Sequence, residues 1–158
     1  MNPADDFTRS PVGTTKMCSL KLLEAESPYA AKTTPPDPDT VRGIKMAFQR
    51  GVHIDPILVV EMGRPSQWFV VDGLARVAGA IAAGKTELLA TIYQGTPRTA
   101  AWLAAGCHSK RIDPRSKSDI RRAICLAIEA GPSSDDRAIA IHCGVPLAAV
   151  KKLRIRVG

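Results

Sequence analysis

The sequence predicts an α/β fold of the α+β type: a small mixed sheet with helices, followed by a helical subdomain of helix-turn-helix character. Apolar runs at 57–60, 68–71 and 88–93 are separated by turn residues and by one stretch of helical spacing. Helical spacing then dominates the C-terminal part. Positive charge is also concentrated there, since residues 1–96 hold ten Lys or Arg against ten Asp or Glu and residues 97–158 hold twelve against five. A basic module joined to a neutral one indicates a polyanionic partner.

The composition sets the domain organisation and excludes several classes of protein. The chain has 158 residues, of which 45% are apolar, enough for a hydrophobic core. We expect residues 1–16 to be disordered, residues 17–96 to form the core and residues 97–158 to form the helical subdomain. No apolar run is long enough to span a membrane and the first residues do not resemble a secretory signal, so the sequence predicts a cytoplasmic protein with no membrane partner. The four cysteines lack the paired spacing of zinc sites, so no metal ligands are predicted among them.

The elements before the core strands are predicted from spacing and from prolines. Residues 17–23 suit an edge strand, and the proline-rich residues 33–38 suit an extended loop. A helix then follows, with Asp39 or Thr40 as its N-cap and Gly51 at its end. Its apolar side is formed by Val41, Ile44, Met46, Ala47 and Phe48.

The central stretch predicts a strand, a turn, a second strand, a glycine turn, a helix and a third strand. Residues 57–60 have the branched apolar side chains of a buried strand, and residues 63–66 reverse the chain into the strand at 68–71. Gly84 is placed to end the helix in a left-handed conformation. The apolar face of that helix is predicted to carry Leu74, Val77, Ala78 and Ile81.

The junction between the second strand and the helix is a candidate binding site. A helix N-terminus leaves backbone N–H groups without intrahelical partners, and Gly73 lets a ligand approach the backbone closely. Arg76, in the first turn, adds a guanidinium group suited to phosphate. These features predict a phosphate cradle. The alternative is an ordinary Asp-Gly turn followed by a solvated Arg76.

From about residue 17 to residue 94, this arrangement resembles the core of the ParB/sulfiredoxin fold family. The resemblance is carried by residues 55–60, by residues 63–73 and by Arg76, three residues after Gly73. It implies a nucleoside triphosphate ligand, ATP or CTP, accompanied by Mg²⁺. Pro56 and Ile57 would line the base and sugar, with Gly73, Leu74 and Arg76 at the phosphates.

The chain departs from both branches of that family at the helix start. Leu74 and Ala75 stand where ParB proteins carry Glu and Arg, which argues against ParB-type triphosphate hydrolysis. The same two residues replace the Cys and His that the sulfiredoxin reaction needs, so that reaction is excluded.

Beyond the core, a helix is predicted to start at Thr96-Pro97, followed by a basic connector at residues 107–117. In the family a polar motif after the core completes the nucleotide pocket. The resemblance therefore makes His108, Lys110 and Arg111 nucleotide-binding candidates. A solvated basic loop is the alternative.

The last part of the chain predicts a helix-turn-helix. A helix at 118–130 ends at Gly131-Pro132, Ser133 or Ser134 caps the next helix, and Pro146 starts the last one, which runs to Arg154. The small residue, turn glycine and apolar contacts of the motif are met by Ala140, Gly144, Val145, Val150 and Leu153. The predicted phosphate contacts on DNA are Arg115, Arg137, Lys151, Lys152, Arg154 and Arg156.

A helical hairpin with a basic solvated face is the alternative to DNA binding. Few Asn, Gln or Arg side chains lie at the start of the last helix, where base edges are usually read, so sequence-specific reading is less well supported.

Two classes of function remain. The first is an enzyme of the ParB-like nuclease type, in which Asp72 or Glu61 binds a metal or activates water. In size and in its single core the chain resembles plasmid-encoded fertility-inhibition and oncogenic-suppression proteins, which implies ATPase and DNase activities that interfere with DNA transfer. The second is a nucleotide-responsive DNA-binding regulator or partition-related protein without chemistry of its own. The resemblance in size favours the enzyme, although no cluster of three acidic residues lies near the turn.

Overall fold

The computed structural model describes residues 12–24, 26–32, 35–108, 115–131 and 134–157. The predicted disorder of residues 1–11, the start of the loop at residues 33–34, and the candidate cap Ser133 lie outside these ranges. The chain divides into two units, Met1–Gly95 and Thr96–Gly158. Within the described ranges, no helix combines the length and the apolar composition that a membrane crossing requires.

The first unit is built on a four-stranded mixed sheet. Its strands are β1 (Thr14–Ser19), β2 (Ile57–Met62), β3 (Gln67–Asp72) and β4 (Glu87–Gln94), in the order β1-β4-β2-β3. β2 and β4 are parallel, whereas β1 pairs with β4 and β3 pairs with β2 in antiparallel fashion. The predicted succession of strand, turn, strand, helix and strand is confirmed.

The core of this unit lies on one face of the sheet. Ile57, Val59 and Val70 are almost completely buried there, together with Ala90 of β4. The second helix, α2 (Leu74–Ala82), packs on the same cluster through Ala80, Leu74 and Val77. Alternating burial along β4 is the pattern expected of a strand with one face in the core.

The N-terminal strand begins earlier than predicted. β1 starts at Thr14 and ends at Ser19, after which residues 20–22 form a short 3-10 helix. The prediction of disorder is therefore wrong for residues 14–16. The prediction rested on polar composition, but β1 is an edge strand whose mostly exposed side chains tolerate polar residues. Its backbone pairs with residues 87–92 of β4, and residues 14–16 pair with 90–92.

The first helix, α1 (Pro38–Gln49), has a different cap from the one predicted. The carboxylate of Asp37 accepts the Thr40 N–H at 3.0 Å, so neither Asp39 nor Thr40 is the N-cap. Pro38 explains the difference, because proline favours the first helical position and fixes the cap one residue before it. Met46, predicted on the apolar side, is 41% exposed.

α2 has Gly73 as its N-cap, and beyond its end Gly84 adopts a φ of 75°, which confirms the predicted left-handed end. The predicted apolar face is wrong at Ile81, which is 61% exposed. The helix instead buries two neighbouring sides, with Ala80 on the sheet and Gly79 against Ile44 of α1. Small residues therefore form its contact surfaces, and the large Ile81 is left outside.

The second unit consists of four described helices. They are α3 (Pro97–Gly106), α4 (Lys117–Ala130), α5 (Asp136–Cys143) and α6 (Leu147–Val157). α4 begins one residue before its predicted start and α6 one residue after. Their packing buries Ile124, Ile139, Cys143 and Val150.

The cap of α5 differs from the prediction. Ser134 does not cap the helix; the carboxylate of Asp135 accepts the Ala138 N–H at 2.8 Å. Gly144 adopts φ 65° and ψ 43°, the left-handed conformation that the predicted turn requires.

Candidate functional site

The glycine turn of the first unit brings its predicted residues together. Because β3 is antiparallel to β2, the end of β3 lies beside the start of β2, so Gly73 and Leu74 are next to Pro56 and Ile57. Gly73 has a φ of 115°, and a Cβ atom placed on it would lie 2.5 Å from Ile57 Cγ2. Only glycine therefore fits this bend.

Arg76 is bound inside its own unit. Its Nη1 donates to the carbonyl oxygens of Asp55 at 3.0 Å and Pro56 at 2.6 Å, and its Nη2 donates to Asp72 Oδ2 at 3.0 Å. The side chains of Arg76 and Asp72 are only 15% and 19% exposed. These donors tie the start of α2 to the segment that leads into β2, so the guanidinium group predicted to meet phosphate already binds three acceptors of the protein.

The remaining anion-binding capacity of the turn lies in its backbone. Leu74 and Ala75 carry no charge, so the first turn of α2 offers N–H groups and the close approach allowed by Gly73. His108 lies in the second unit, directly after α3, and is buried. Lys110 and Arg111 lie outside the described residues.

The two catalytic candidates are separated along the sheet. Asp72 pairs with Leu58 of β2, whereas Glu61 of β2 pairs with Trp68. Three residues of strand correspond to about 10 Å. One metal ion needs both carboxylates within about 5 Å of each other. Asp72 is also held by Arg76, so the described geometry does not assemble Asp72 and Glu61 into one catalytic centre.

The helix-turn-helix presents a basic face to solvent. On α6 the exposed residues are Ala148, Lys151, Lys152, Ile155 and Arg156, whereas Val150 and Leu153 are buried. A period of 3.6 residues places the exposed set on one side of the helix. On α5, Arg137 is exposed as well. Four of the predicted DNA contacts, Arg137, Lys151, Lys152 and Arg156, therefore lie on the surface.

The other two predicted DNA contacts are engaged within the unit. Arg154 donates from Nε to the carboxylate of Asp136 and from Nη2 to the Ser134 carbonyl at 2.8 Å. Arg115 Nη2 donates to the carbonyl oxygens of Cys143 at 2.8 Å and Gly144 at 3.1 Å. Both arginines, which were predicted to meet DNA, therefore connect parts of the helix-turn-helix to each other and to the residues before them.

A contact that the sequence did not reveal joins α3 to α5. The rings of Trp102 and His142 are stacked, with centroids 3.8 Å apart and planes at 9°. His142 Nε2 lies 2.7 Å from the Trp102 carbonyl oxygen, and a Cβ on Gly106 would collide with the imidazole ring. Burial lowers the pKa of His142 below its usual value. Forty residues separate the two rings, so no local spacing signals the pair.

Comparison with solved structures identifies the fold. The chain matches the C-terminally truncated chromosome-partitioning protein ParB from Caulobacter crescentus complexed to the centromeric parS site, with a TM-score of 0.60, 14% identity and coverage of 86% of this chain and 68% of that one. The chain has the ParB-N fold. A ParB structure from the same organism complexed with CTP-γ-S gives a TM-score of 0.51 at 17% identity, covering 87% of this chain and 75% of that one. A Pnob8-like ParB-N domain gives a TM-score of 0.54 at 14% identity, and the match covers 94% of this chain and 50% of that one.

Sequence comparison gives one further similar protein, at a higher identity than the solved structures. A protein of Streptomyces griseus, described as a possible regulatory protein of the streptomycin biosynthesis operon, is 27% identical over 133 residues. The match covers 84% of this chain but only 35% of that protein, so the chain spans about a third of its curated relative. No model of a known protein family matches the sequence.

Proposed function

We propose that this chain is a DNA-binding regulatory protein that contacts DNA through the exposed side of α5 and α6. The observation that carries the proposal is the row of exposed cations on α6, Lys151, Lys152 and Arg156, held beyond a left-handed Gly144 turn. Arg115 and Arg154 donate hydrogen bonds to acceptors within the unit, whereas the three cations of this row are exposed to solvent.

The charge of the chain supports a polyanionic partner on this side. The whole excess of positive charge lies in residues 97–158. Lys and Arg side chains on such a face bind phosphates and release condensed counterions, which favours binding to any duplex at low salt. The solved ParB structure on parS and the regulatory description of the Streptomyces griseus protein agree with this class of function.

A nucleoside triphosphate at the Gly73 turn is the second proposed ligand. It is supported by the left-handed glycine at the start of α2, beside Pro56 and Ile57, and by the ParB structure that contains CTP-γ-S. CTP or ATP, with Mg²⁺ as its counterion, would meet backbone N–H groups there. Arg76 acts as a positioning residue that fixes the turn, because its Nη1 and Nη2 groups donate to three acceptors of the protein.

ATPase and DNase activities that interfere with DNA transfer have less support. They would require Asp72 or Glu61 to activate water or hold a catalytic metal. Asp72 accepts a hydrogen bond from Arg76. Asp72 pairs with Leu58 of β2, and Glu61 lies three residues further along that strand, so the two carboxylates are apart.

Equilibrium binding of a fluorescent duplex tests DNA binding, and the salt concentration is the variable. We expect the affinity to fall steeply with salt. The double variant Lys151→Ala, Lys152→Ala should reduce the slope of log K against log salt by about 1.8, the value for two lost phosphate contacts. Lys21→Ala, Lys85→Ala is the matched control, since it removes two exposed charges from the other unit. Equal effects of the two double variants would refute the α6 interface.

Calorimetric titration with CTP and with ATP, each with Mg²⁺, tests the second ligand. One nucleotide is expected to bind and to change the affinity for the duplex. Arg76→Lys keeps the charge but cannot reach all three acceptors, so it should weaken nucleotide binding more than Arg42→Lys. Absence of heat with either nucleotide would remove the nucleotide from the proposal and leave DNA binding standing.

A further inference from the structure

A cavity opens in the first unit where β2 and β4 begin. Its volume is about 460 Å³, within the range of about 300–1,000 Å³ that is typical of small-molecule sites. The segment before β2 contributes residues 53–55 to its lining, and the turn between α2 and β4 contributes residues 84–86. Gly73 is not among the lining residues, so the cavity is distinct from the proposed nucleotide site.

The wall of the cavity that follows α2 is held in place by backbone hydrogen bonds. The Lys85 N–H donates to the Ala80 carbonyl at 3.0 Å, and the Leu20 N–H donates to the Thr86 carbonyl at 3.0 Å. These bonds attach the turn to the end of α2 and to the segment that follows β1. The cavity is therefore preformed, which lowers the entropy cost of binding a ligand there.

Apolar side chains supply part of the lining. Phe48, Ile54 and Leu89 border the cavity and are half-buried. Met17 of β1 also borders it and is 52% exposed. A ligand that covers such a side chain removes apolar surface from water, and methionine adapts its shape easily to what it contacts. The cavity therefore suits a ligand with an apolar body.

The charged side chains of the lining determine which charge the ligand should carry. Asp55 and Glu87 supply two carboxylates and Lys85 supplies one ammonium group, and all three residues are exposed. His53 Nε2 lies 3.6 Å from Asp55 Oδ1, and this histidine is charged only if it is protonated. With His53 neutral, the lining carries two negative charges against one positive charge. This balance repels anions and attracts a cation.

We propose that this cavity binds a small molecule with an apolar body and a protonated amine. The body covers Met17 and Phe48, and the ammonium group lies near the carboxylates of Asp55 and Glu87. Nucleotides and DNA are poor ligands here, because their phosphates would meet two carboxylates. The proposal therefore does not depend on DNA binding by the second unit or on the nucleotide site.

An NMR titration of the isotopically labelled full chain tests the proposal with three probes that share a phenyl group. Phenethylamine carries an ammonium group, phenylacetate carries a carboxylate, and phenylalanine carries both. We expect phenethylamine to bind most tightly and to shift the amide signals of residues 53–55 and 84–89, whereas phenylacetate should leave those signals unchanged. Absence of these shifts with phenethylamine, or tighter binding of either other probe, would overturn the proposal.

Two further comparisons test the role of charge in the cavity. The double variant Asp55→Asn, Glu87→Gln should weaken phenethylamine binding about two- to fivefold, the effect expected of exposed ion pairs. Glu24→Gln, Asp39→Asn is the matched control, because it removes two exposed carboxylates of the same unit that do not line the cavity. Lys85→Met should strengthen binding, since it removes the repelling cation and keeps an apolar stem. Equal effects of the two double variants, or weaker binding by Lys85→Met, would also overturn the proposal.

Discussion

The sequence predicts that Arg76 contacts a ligand, whereas in the structure its guanidinium group binds acceptors of the protein itself. A guanidinium group one turn after a glycine bend predicts phosphate binding from chemistry alone. The folded chain brings two backbone carbonyls and the Asp72 carboxylate to the same place. Those carbonyls belong to residues about twenty positions earlier, so their direction cannot be read from local sequence.

Replacing Arg76 by Ala should therefore lower the stability of the chain even when no ligand is present. Hydrogen bonds from a charged, largely buried donor contribute about 1.5–3 kcal/mol, and we expect Arg76→Ala to lower the free energy of unfolding by about that amount. Urea denaturation of the full chain measures it. Arg42→Ala is the control, because the Arg42–Asp39 pair is exposed and should contribute less than about 0.5 kcal/mol. Equal losses of unfolding free energy in the two variants would show that the buried Arg76 contacts stabilise the fold no more than an exposed ion pair does.

The stacked pair of Trp102 and His142 makes a second prediction at the residue scale. Burial lowers the pKa of His142 in the folded protein below the value of about 6.5 that it has when unfolded. The unfolded chain therefore binds this proton more readily. The contribution of neutral His142 is fully present above the unfolded pKa and is lost as the pH falls below it.

His142→Phe should keep the stacked ring and remove the titration. We expect the wild-type free energy of unfolding to fall more steeply than that of the variant as the pH decreases below about 6.5. The difference between the two proteins isolates His142 from the carboxylates and from the other two histidines. Loss of the hydrogen bond to the Trp102 carbonyl should add an offset that does not depend on pH. If the free energies of unfolding of the two proteins followed parallel curves against pH, burial would not lower the pKa of His142.

At the scale of elements, the sequence predicted types and order well and contacts poorly. The strands, the glycine turn and the helix-turn-helix follow from period and from turn residues, which are local properties. The orientation of α2 is set by two surfaces at once, the sheet and α1, and a single apolar stripe does not describe it. The cap of α1 at Asp37 and the polar first half of β1, residues 14–16, were missed for similar reasons. In the first case a proline and in the second a neighbouring strand outweighed the local composition.

Two helical glycines test the packing of α1 against α2. Sequence propensity alone predicts that alanine stabilises both positions by about 0.5–1 kcal/mol. Gly43 of α1 has no neighbouring atom within 4 Å of an added Cβ, so Gly43→Ala should follow that expectation. Gly79 of α2 faces Ile44, and an added methyl group would collide with it. Gly79→Ala should therefore lower the free energy of unfolding by about 1–3 kcal/mol.

Thermal unfolding of the two variants shows whether each substitution raises or lowers stability. A higher Tm for Gly43→Ala and a lower one for Gly79→Ala would support the close contact of α1 with α2. A higher Tm for both would show that Ile44 gives way easily and that the two helices do not pack as closely as described.

At the scale of the whole chain, charge was the most informative part of the sequence. It located the positive excess in the helical unit, where the exposed lysines of α6 lie. It did not separate surface cations from those bound internally. Of the six residues predicted to meet DNA, Arg115 and Arg154 have acceptors within the unit, because helix packing brings backbone carbonyls and a carboxylate to them. The sequence thus predicted where the positive charge is concentrated, but not which of those cations are exposed and which are bound internally.

The choice between enzyme and regulator also belongs to the whole chain, and incubation with supercoiled plasmid decides it. We expect plasmid DNA to remain intact and ATP to remain unhydrolysed in the presence of Mg²⁺. A metal-dependent nuclease needs carboxylates that converge on the ion, and Asp72 and Glu61 lie about 10 Å apart along the sheet. Any cleavage is assigned to this site only if it persists through purification of the wild-type protein and of Asp39→Asn, the exposed control, and is lost in Asp72→Asn. Cleavage that is lost in Asp72→Asn and kept in Asp39→Asn would reverse the conclusion, because the reaction would then depend on the Asp72 carboxylate.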